Sequence, residues 1–119
     1  MKALFVEYPK CSTCQKAKKW LTEHQVEFTD RDIKEQNPTV EELKLWHEQS
    51  GLDIKRFFNT SGILYKEKKL KDRLPELSLE EKYALLATDG MLVKRPILVT
   101  EKGVVTGFKP EDWEKLTES

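Results

Sequence analysis

The sequence predicts an α/β fold: a mixed sheet with helices on both faces and a helical segment inserted near its middle. Three observations carry this. The chain opens strand, helix, strand. Capped helical patterns then fill about residues 38–90. Two short apolar runs around a glycine-bearing turn, followed by one more helical pattern, close it. The reading is therefore βαβ, helical middle, ββα, in one domain spanning residues 1–119.

Each element has its local reason. Lys2 to Tyr8 is a short run with Phe5, Val6 and Tyr8, as a buried strand shows, and Pro9 stops it. From Ser12 to His24, Cys14, Ala17, Trp20 and Leu21 recur at steps of three and four, which is a helical period. Val26 to Ile33 returns to alternation. A strand–helix–strand opening favours a right-handed βαβ unit with parallel strands.

Asn37-Pro38 breaks the chain. Thr39 followed by Glu42 is a capping box, so a helix should run from there to about Ser50, with Val40, Leu43 and Trp46 inward and Gly51 ending it. Asp53 to Leu70 reads as one or two short helices around a Ser61-Gly62 turn. Ser78 and Glu81 form a second capping box. Its helix carries Leu79, Tyr83, Leu85 and Leu86 and closes at Asp89-Gly90. Ile97-Leu98-Val99 and Val104-Val105-Thr106 flank Thr100-Glu101-Lys102-Gly103, a hairpin-type turn. Pro110 suits the first turn of a closing helix, with Glu111 and Asp112 near its positive end and Trp113 and Leu116 inward. Trp20, Trp46 and Trp113 all fall on apolar faces, as core residues do.

Composition removes several function classes. Lys and Arg number 21, as do Asp and Glu, so the formal net charge is zero. No global basic field draws in nucleic acid or a membrane surface. The mixed run Lys66 to Arg73 reads as a solvated helix face. No apolar run approaches the roughly 20 residues that span a bilayer, and the first residues lack a signal-peptide pattern. A soluble, cytoplasmic monomer is expected. Metal binding is not: besides the two cysteines, only His24 and His47 are available, and they lie in separate segments.

The chemistry lies in Tyr8-Pro9-Lys10-Cys11-Ser12-Thr13-Cys14-Gln15-Lys16-Ala17, which holds both cysteines of the chain. In a cytosolic chain such a pair is catalytic, redox-sensing or metal-binding more often than structural. Here it sits at a strand-to-helix junction. Cys11 at the helix start meets unpaired N–H groups and the positive end of the dipole, and both favour a thiolate. In such settings a cysteine pKa falls from about 8.5 to between about 3.5 and 7.5. Lys10 and Lys16 add positive charge nearby. Cys14, one turn on, can resolve a mixed disulfide formed on Cys11. A CxxC pair there, with a ββα close, is the thioredoxin-like architecture. That fold places a cis-proline before its third strand, facing the cysteines, and Pro96 directly precedes Ile97-Leu98-Val99.

The chain resembles the ArsC/Spx family of glutaredoxin-type arsenate reductases, Spx-type transcription regulators and their relatives. The matching residues are the cysteine motif, the inserted helical segment, Lys94-Arg95-Pro96-Ile97-Leu98-Val99 and Gly107-Phe108-Lys109-Pro110-Glu111. Phe57-Phe58-Asn59-Thr60-Ser61-Gly62 points to the small CxxC-bearing branch. The resemblance implies that Cys11 is the nucleophile and that Arg95 holds an oxyanion or carboxylate, for which a guanidinium fork is suited. Thr13, Asn59, Thr60, Lys94, Pro96 and Lys109 are the remaining candidates for substrate contact. No bound cofactor is implied; glutathione or another thiol would be the reductant.

The family's arsenate reductases use further arginines. Here Asn59 and Thr60 follow the Phe57-Phe58 pair, and Lys109 stands at another arginine's place. Lysine keeps the charge without the bidentate fork. Two function classes follow. One is a thiol–disulfide oxidoreductase acting on a thiol, disulfide or oxyanion substrate, with Cys14 as resolving thiol. The other is an Spx-like redox-sensing regulator that docks on the RNA polymerase α subunit, where Gly51 falls near a glycine those regulators use. Ser119 ends the sequence without the longer tail of typical Spx regulators.

Overall fold

The structure is a computed structural model, and it describes residues 2–118. Four strands form one mixed sheet in the order β2-β1-β3-β4. The chain runs β1 (Ala3–Glu7), α1 (Ser12–Glu23), β2 (Phe28–Asp32), α2 (Val40–Ser50), α3 (Ile63–Glu67), α4 (Leu70–Arg73), α5 (Leu79–Leu86), β3 (Ile97–Thr100), β4 (Gly103–Thr106) and α6 (Pro110–Thr117). Single 3-10 turns lie at Ile54–Phe57, Leu74–Glu76 and Gly90–Leu92. Strand β1 pairs parallel with β2 and antiparallel with β3. This is the expected thioredoxin-like arrangement with its helical insertion.

Alternation along β1 divides the core. Ala3 and Phe5 join Ala17, Trp20 and Leu21 of α1 and Trp113 of α6 on one face. Val6 joins Leu43, Trp46, Phe57, Phe58, Tyr83 and Leu86 of the insertion on the other. All three tryptophans are core, as their spacing predicts. Burying such side chains contributes about 1.5–3 kcal/mol each.

Both capping boxes form: Thr39 with Glu42 and Ser78 with Glu81. Glu42 has a second partner. The Arg31 guanidinium from β2 donates to both its carboxylate oxygens at 2.6 and 2.8 Å and lies over Trp46, tying the sheet edge to α2. Gly51 ends α2 with φ of 68°, the left-handed value its place predicts.

Two expectations are corrected. Leu79, read with Tyr83, Leu85 and Leu86 as the apolar set its helix carries, is 43% exposed. It stands at the first position of α5, where the turn has not yet met the core. Helix α5 ends at Leu86 rather than at Asp89-Gly90. Gly90 instead opens a 3-10 turn capped by Asp89 and packs on Ile33, where an added Cβ would fall 2.0 Å from the Ile33 carbonyl oxygen. A close backbone approach requires this glycine.

Candidate functional site

Strand β1 delivers the cysteine motif to the upper end of the sheet. The Cys11 N–H donates to the Tyr8 carbonyl and closes a tight turn, and the Gln15 N–H donates to the Cys11 carbonyl and starts α1. Cys11 is thus the N-cap of α1 and is half-buried, whereas Cys14 is fully buried one turn later. The Tyr8 N–H points at the Cys14 sulfur, 3.5 Å away. Both thiols are free.

The fold drives the two thiols apart in acidity. Partial burial pushes the Cys11 thiol up. The N–H of Cys14, the Cys14 thiol, the N–H of Thr13 and the Arg95 charge outweigh it, so its pKa lies below the ordinary thiol value. These N–H groups act without closing a full cap hydrogen bond. Burial raises Cys14 to about 12, with the hydrogen bond and charge of Cys11 and the charge of Glu7 adding to it, against the Tyr8 N–H. The cation acting on Cys11 is Arg95, which the sequence reading expected, rather than Lys10 or Lys16, which it also named.

The Arg95–Pro96 peptide is cis. Arg95 lies over the Tyr8 ring, its guanidinium carbon 5.2 Å from the centroid, and its Nη1 donates to the Met91 carbonyl at 3.4 Å. Cys11 and Arg95 line a cleft of about 520 Å³ together with Thr13, Asn59, Lys94 and Lys109, all foreseen from the sequence. Pro96 and Cys14 are buried and are not on its wall. Thr60 is also absent from it; this residue lines a neighbouring depression with Lys55 and Phe58. The Asn59–Gly62 turn, closed by the Gly62 N–H on the Asn59 carbonyl, presents Asn59 and Ser61 to the cleft instead.

Arg56 lines the same cleft and was missed. It sits in the 3-10 turn Ile54–Phe57, where sequence pattern is weakest, and a lone arginine in a charged segment carries no signal. The fold selects it through a long-range bond: the Thr106 hydroxyl from β4 donates to the Arg56 carbonyl at 2.7 Å. Two further bonds join the insertion to the segment before β3, from the Lys94 N–H to Phe57 and from the Asn59 N–H to Leu92. Arg56, Lys94, Arg95 and Lys109 thus share the cleft wall with Cys11, and among the described residues no carboxylate lines this cleft. Such a wall attracts anionic thiols, disulfides or oxyanions. Glu7 was missed too. It ends an apolar run, and its carboxyl is buried close enough to Cys14 to act on it.

Comparison with known proteins gives one consistent family. A model of the ArsC family matches residues 6–116. The chain is 51% identical over 115 residues to YusI of Bacillus subtilis (strain 168), covering 97% of this chain and 98% of that protein. It is 35% identical over 109 residues to the global transcriptional regulator Spx 2 of Bacillus cereus, covering 89% and 79%. Among solved structures, an ArsC family related protein from Bacteroides fragilis superposes with a TM-score of 0.94 at 64% identity, covering 98% of each chain. A possible arsenate reductase from Streptococcus mutans UA159 superposes with a TM-score of 0.86 at 47% identity, covering 94% and 97%.

Proposed function

Since the chain belongs to the ArsC family, we propose that it is a thiol–disulfide oxidoreductase in which Cys11 attacks and Cys14 resolves. The observation that supports this best is the contrast between the thiols. Cys11 is half-open, acidified and opens on a cleft that four cations line, while Cys14 is sealed one turn behind it. The Cys11 thiolate attacks a substrate disulfide, forming a mixed disulfide and releasing one thiolate. Cys14 then attacks the Cys11 sulfur, forms the intramolecular disulfide and releases the second thiol. An external thiol such as glutathione returns both cysteines to the reduced state.

Thr13, Asn59, Lys94, Arg95 and Lys109 are the proposed substrate contacts, and Arg56 joins them. Pro96 holds the Arg95 backbone toward the substrate. Thr60 acts only through the turn it belongs to. A carboxylate-bearing thiol fits the spread of cations better than arsenate does, because among the described residues two arginines, Arg95 and Arg56, supply guanidinium forks to the wall. The proposed setting is the cytoplasm, where such thiols stay reduced.

The test compares reduction of a glutathione mixed disulfide and of arsenate by the native protein, Cys11→Ser and Cys14→Ser. The expected result is disulfide turnover that requires Cys11, with Cys14→Ser stalled as a mixed disulfide. Efficient arsenate turnover without disulfide turnover would replace this reading.

A second reading, a redox-sensing regulator, is supported by the likeness to Spx 2 and by Gly51, which is exposed at the end of α2. Its proposed partner is the RNA polymerase α subunit. Titration of purified α subunit with reduced and oxidised protein tests it; no binding in either state removes it.

A further inference from the structure

The helical insertion has an opening of its own. Most buried residues of the core it builds with Val6 are sealed. The three with the most residual exposure are Ile54 at 9%, Leu74 at 7% and Tyr65 at 6%. All three line one pit of about 170 Å³. Ile54 comes from the 3-10 turn Ile54–Phe57, Tyr65 from α3 and Leu74 from the turn Leu74–Glu76, so three elements converge there. The gap in this core is thus concentrated at one place. An apolar cavity of about 150 Å³ is enough to hold a benzene ring. No residue lines both this pit and the redox cleft.

The pit is apolar within and positive at its edge. Lys55, Lys71 and Lys82 line it with one acid, Asp53. The Asp53 carboxylate already accepts the Lys55 N–H and caps the 3-10 turn. Among the described residues, none of the three lysines pairs with a carboxylate. Lys82 is half-buried, so it has less side-chain freedom left to lose when an anion meets it.

Tyr65 adds an independent sign. Its side chain is nearly buried, yet its hydroxyl meets no protein partner among the described residues and is not sealed from solvent. A tyrosine buried to this degree normally has a hydrogen-bond partner for its hydroxyl. The pit is the opening that Tyr65 lines.

We propose that this pit binds a small carboxylic acid with one ring-sized apolar body, an aryl carboxylate in the simplest case. The ring covers Ile54, Tyr65 and Leu74 and displaces water from them. The carboxylate lies among the lysines, and the Tyr65 hydroxyl gains a partner. A bare anion would leave the apolar floor wet, and a neutral ring would leave the lysines unpaired. The site stands independently of the thiol chemistry proposed above, and loss of either reading leaves the other in place.

Benzoate is the probe, titrated into the isotope-labelled full chain and followed by amide NMR shifts. The amides of Ile54, Lys55, Tyr65, Lys71, Leu74 and Lys82 should shift together and saturate, with a Kd on the order of 0.1–1 mM. Acetate, which lacks the ring, should bind about tenfold more weakly or worse. Benzyl alcohol, which lacks the charge, should bind about fivefold more weakly. Lys82→Gln should weaken benzoate by about three- to tenfold, and Tyr65→Phe by about threefold. Both substitutions leave the apolar floor in place, so each variant is compared as a folded protein. Shifts that never saturate, that fall on lysines generally or that centre on the redox cleft overturn the assignment. So does acetate or benzyl alcohol binding as tightly as benzoate, or an affinity that neither variant changes.

Discussion

The Cys11 sulfur stands at the open start of α1 and faces Arg95, while Cys14 is closed beneath Tyr8. One helical turn separates them in sequence, yet their acidities diverge because one thiol meets several N–H groups and a cation, while at the other burial and negative charge outweigh a single N–H from Tyr8. Alkylation should therefore be selective. At mildly acidic pH, Cys11 should react faster than a free thiol, and Cys14 should remain unmodified until the protein unfolds; mass mapping of the alkylated sites checks both. Equal labelling of the two would refute the account. Arg95→Ala removes the cation from the site. Charge-assisted hydrogen bonds contribute on the order of 1.5–3 kcal/mol, so turnover of a glutathione mixed disulfide should fall by about one to two powers of ten. The Cys11 alkylation profile should move toward that of an ordinary thiol in the same variant.

Short elements hold the cleft together. The capping box on α2 satisfies two backbone donors at once, and Glu42 is shared with Arg31 of β2. Thr39→Ala should lower stability by about 1 kcal/mol, read as a shift in the urea midpoint. Gly90 is more demanding. A Cβ there would overlap the Ile33 backbone, which cannot yield as a flexible side-chain tip can. Gly90→Ala should cost more than the cap, on the order of 2–4 kcal/mol, or should shift the 3-10 turn that carries Met91, the carbonyl partner of Arg95. Thermal unfolding and disulfide turnover measured together would reveal either route. A Gly90→Ala protein as stable and active as the native one would contradict the packing described here.

Across the folded chain, one buried acid should dominate the slope of stability with pH near neutrality. Glu7 is raised from 4.5 to about 8, chiefly by burial. In that interval the unfolded chain has lost its Glu7 proton and the fold still holds it. The unfolded state then binds fewer protons, so stability falls as pH rises from about 4.5 to about 8 and levels off above. Glu42 acts in the opposite range. Its carboxyl is lowered by the Arg31 hydrogen bond, and its contribution is lost as pH falls below the ordinary carboxylate value. Comparing native protein with Glu7→Gln isolates the first effect: the variant should lack the decline and gain on the native protein above about pH 8, by on the order of a few kcal/mol. Urea unfolding across pH measures it. Parallel stability curves for the two proteins would show that Glu7 ionises normally in the fold.

Periodicity and punctuation sufficed for the element order, both capping boxes, the Gly51 terminus and the tryptophan core, because these depend on residues a few positions apart. The cysteine motif at a strand–helix junction was legible locally, and the resemblance to the family drew Arg95-Pro96 to it; the structure places Cys11 and Arg95 on one cleft. What lay beyond reach was set by contacts distant in sequence. The Thr106 hydroxyl bond fixes Arg56 in the cleft wall across 50 positions, and the Asn59–Gly62 turn faces Asn59 but not Thr60 toward Cys11. Glu7 looked like the polar end of a strand. Only pairing with β2 and coverage by α1 bury it beside Asp30 and Cys14, where loss of hydration changes its acidity. Side-chain solvation depends on which surfaces meet, and that is decided by the tertiary fold.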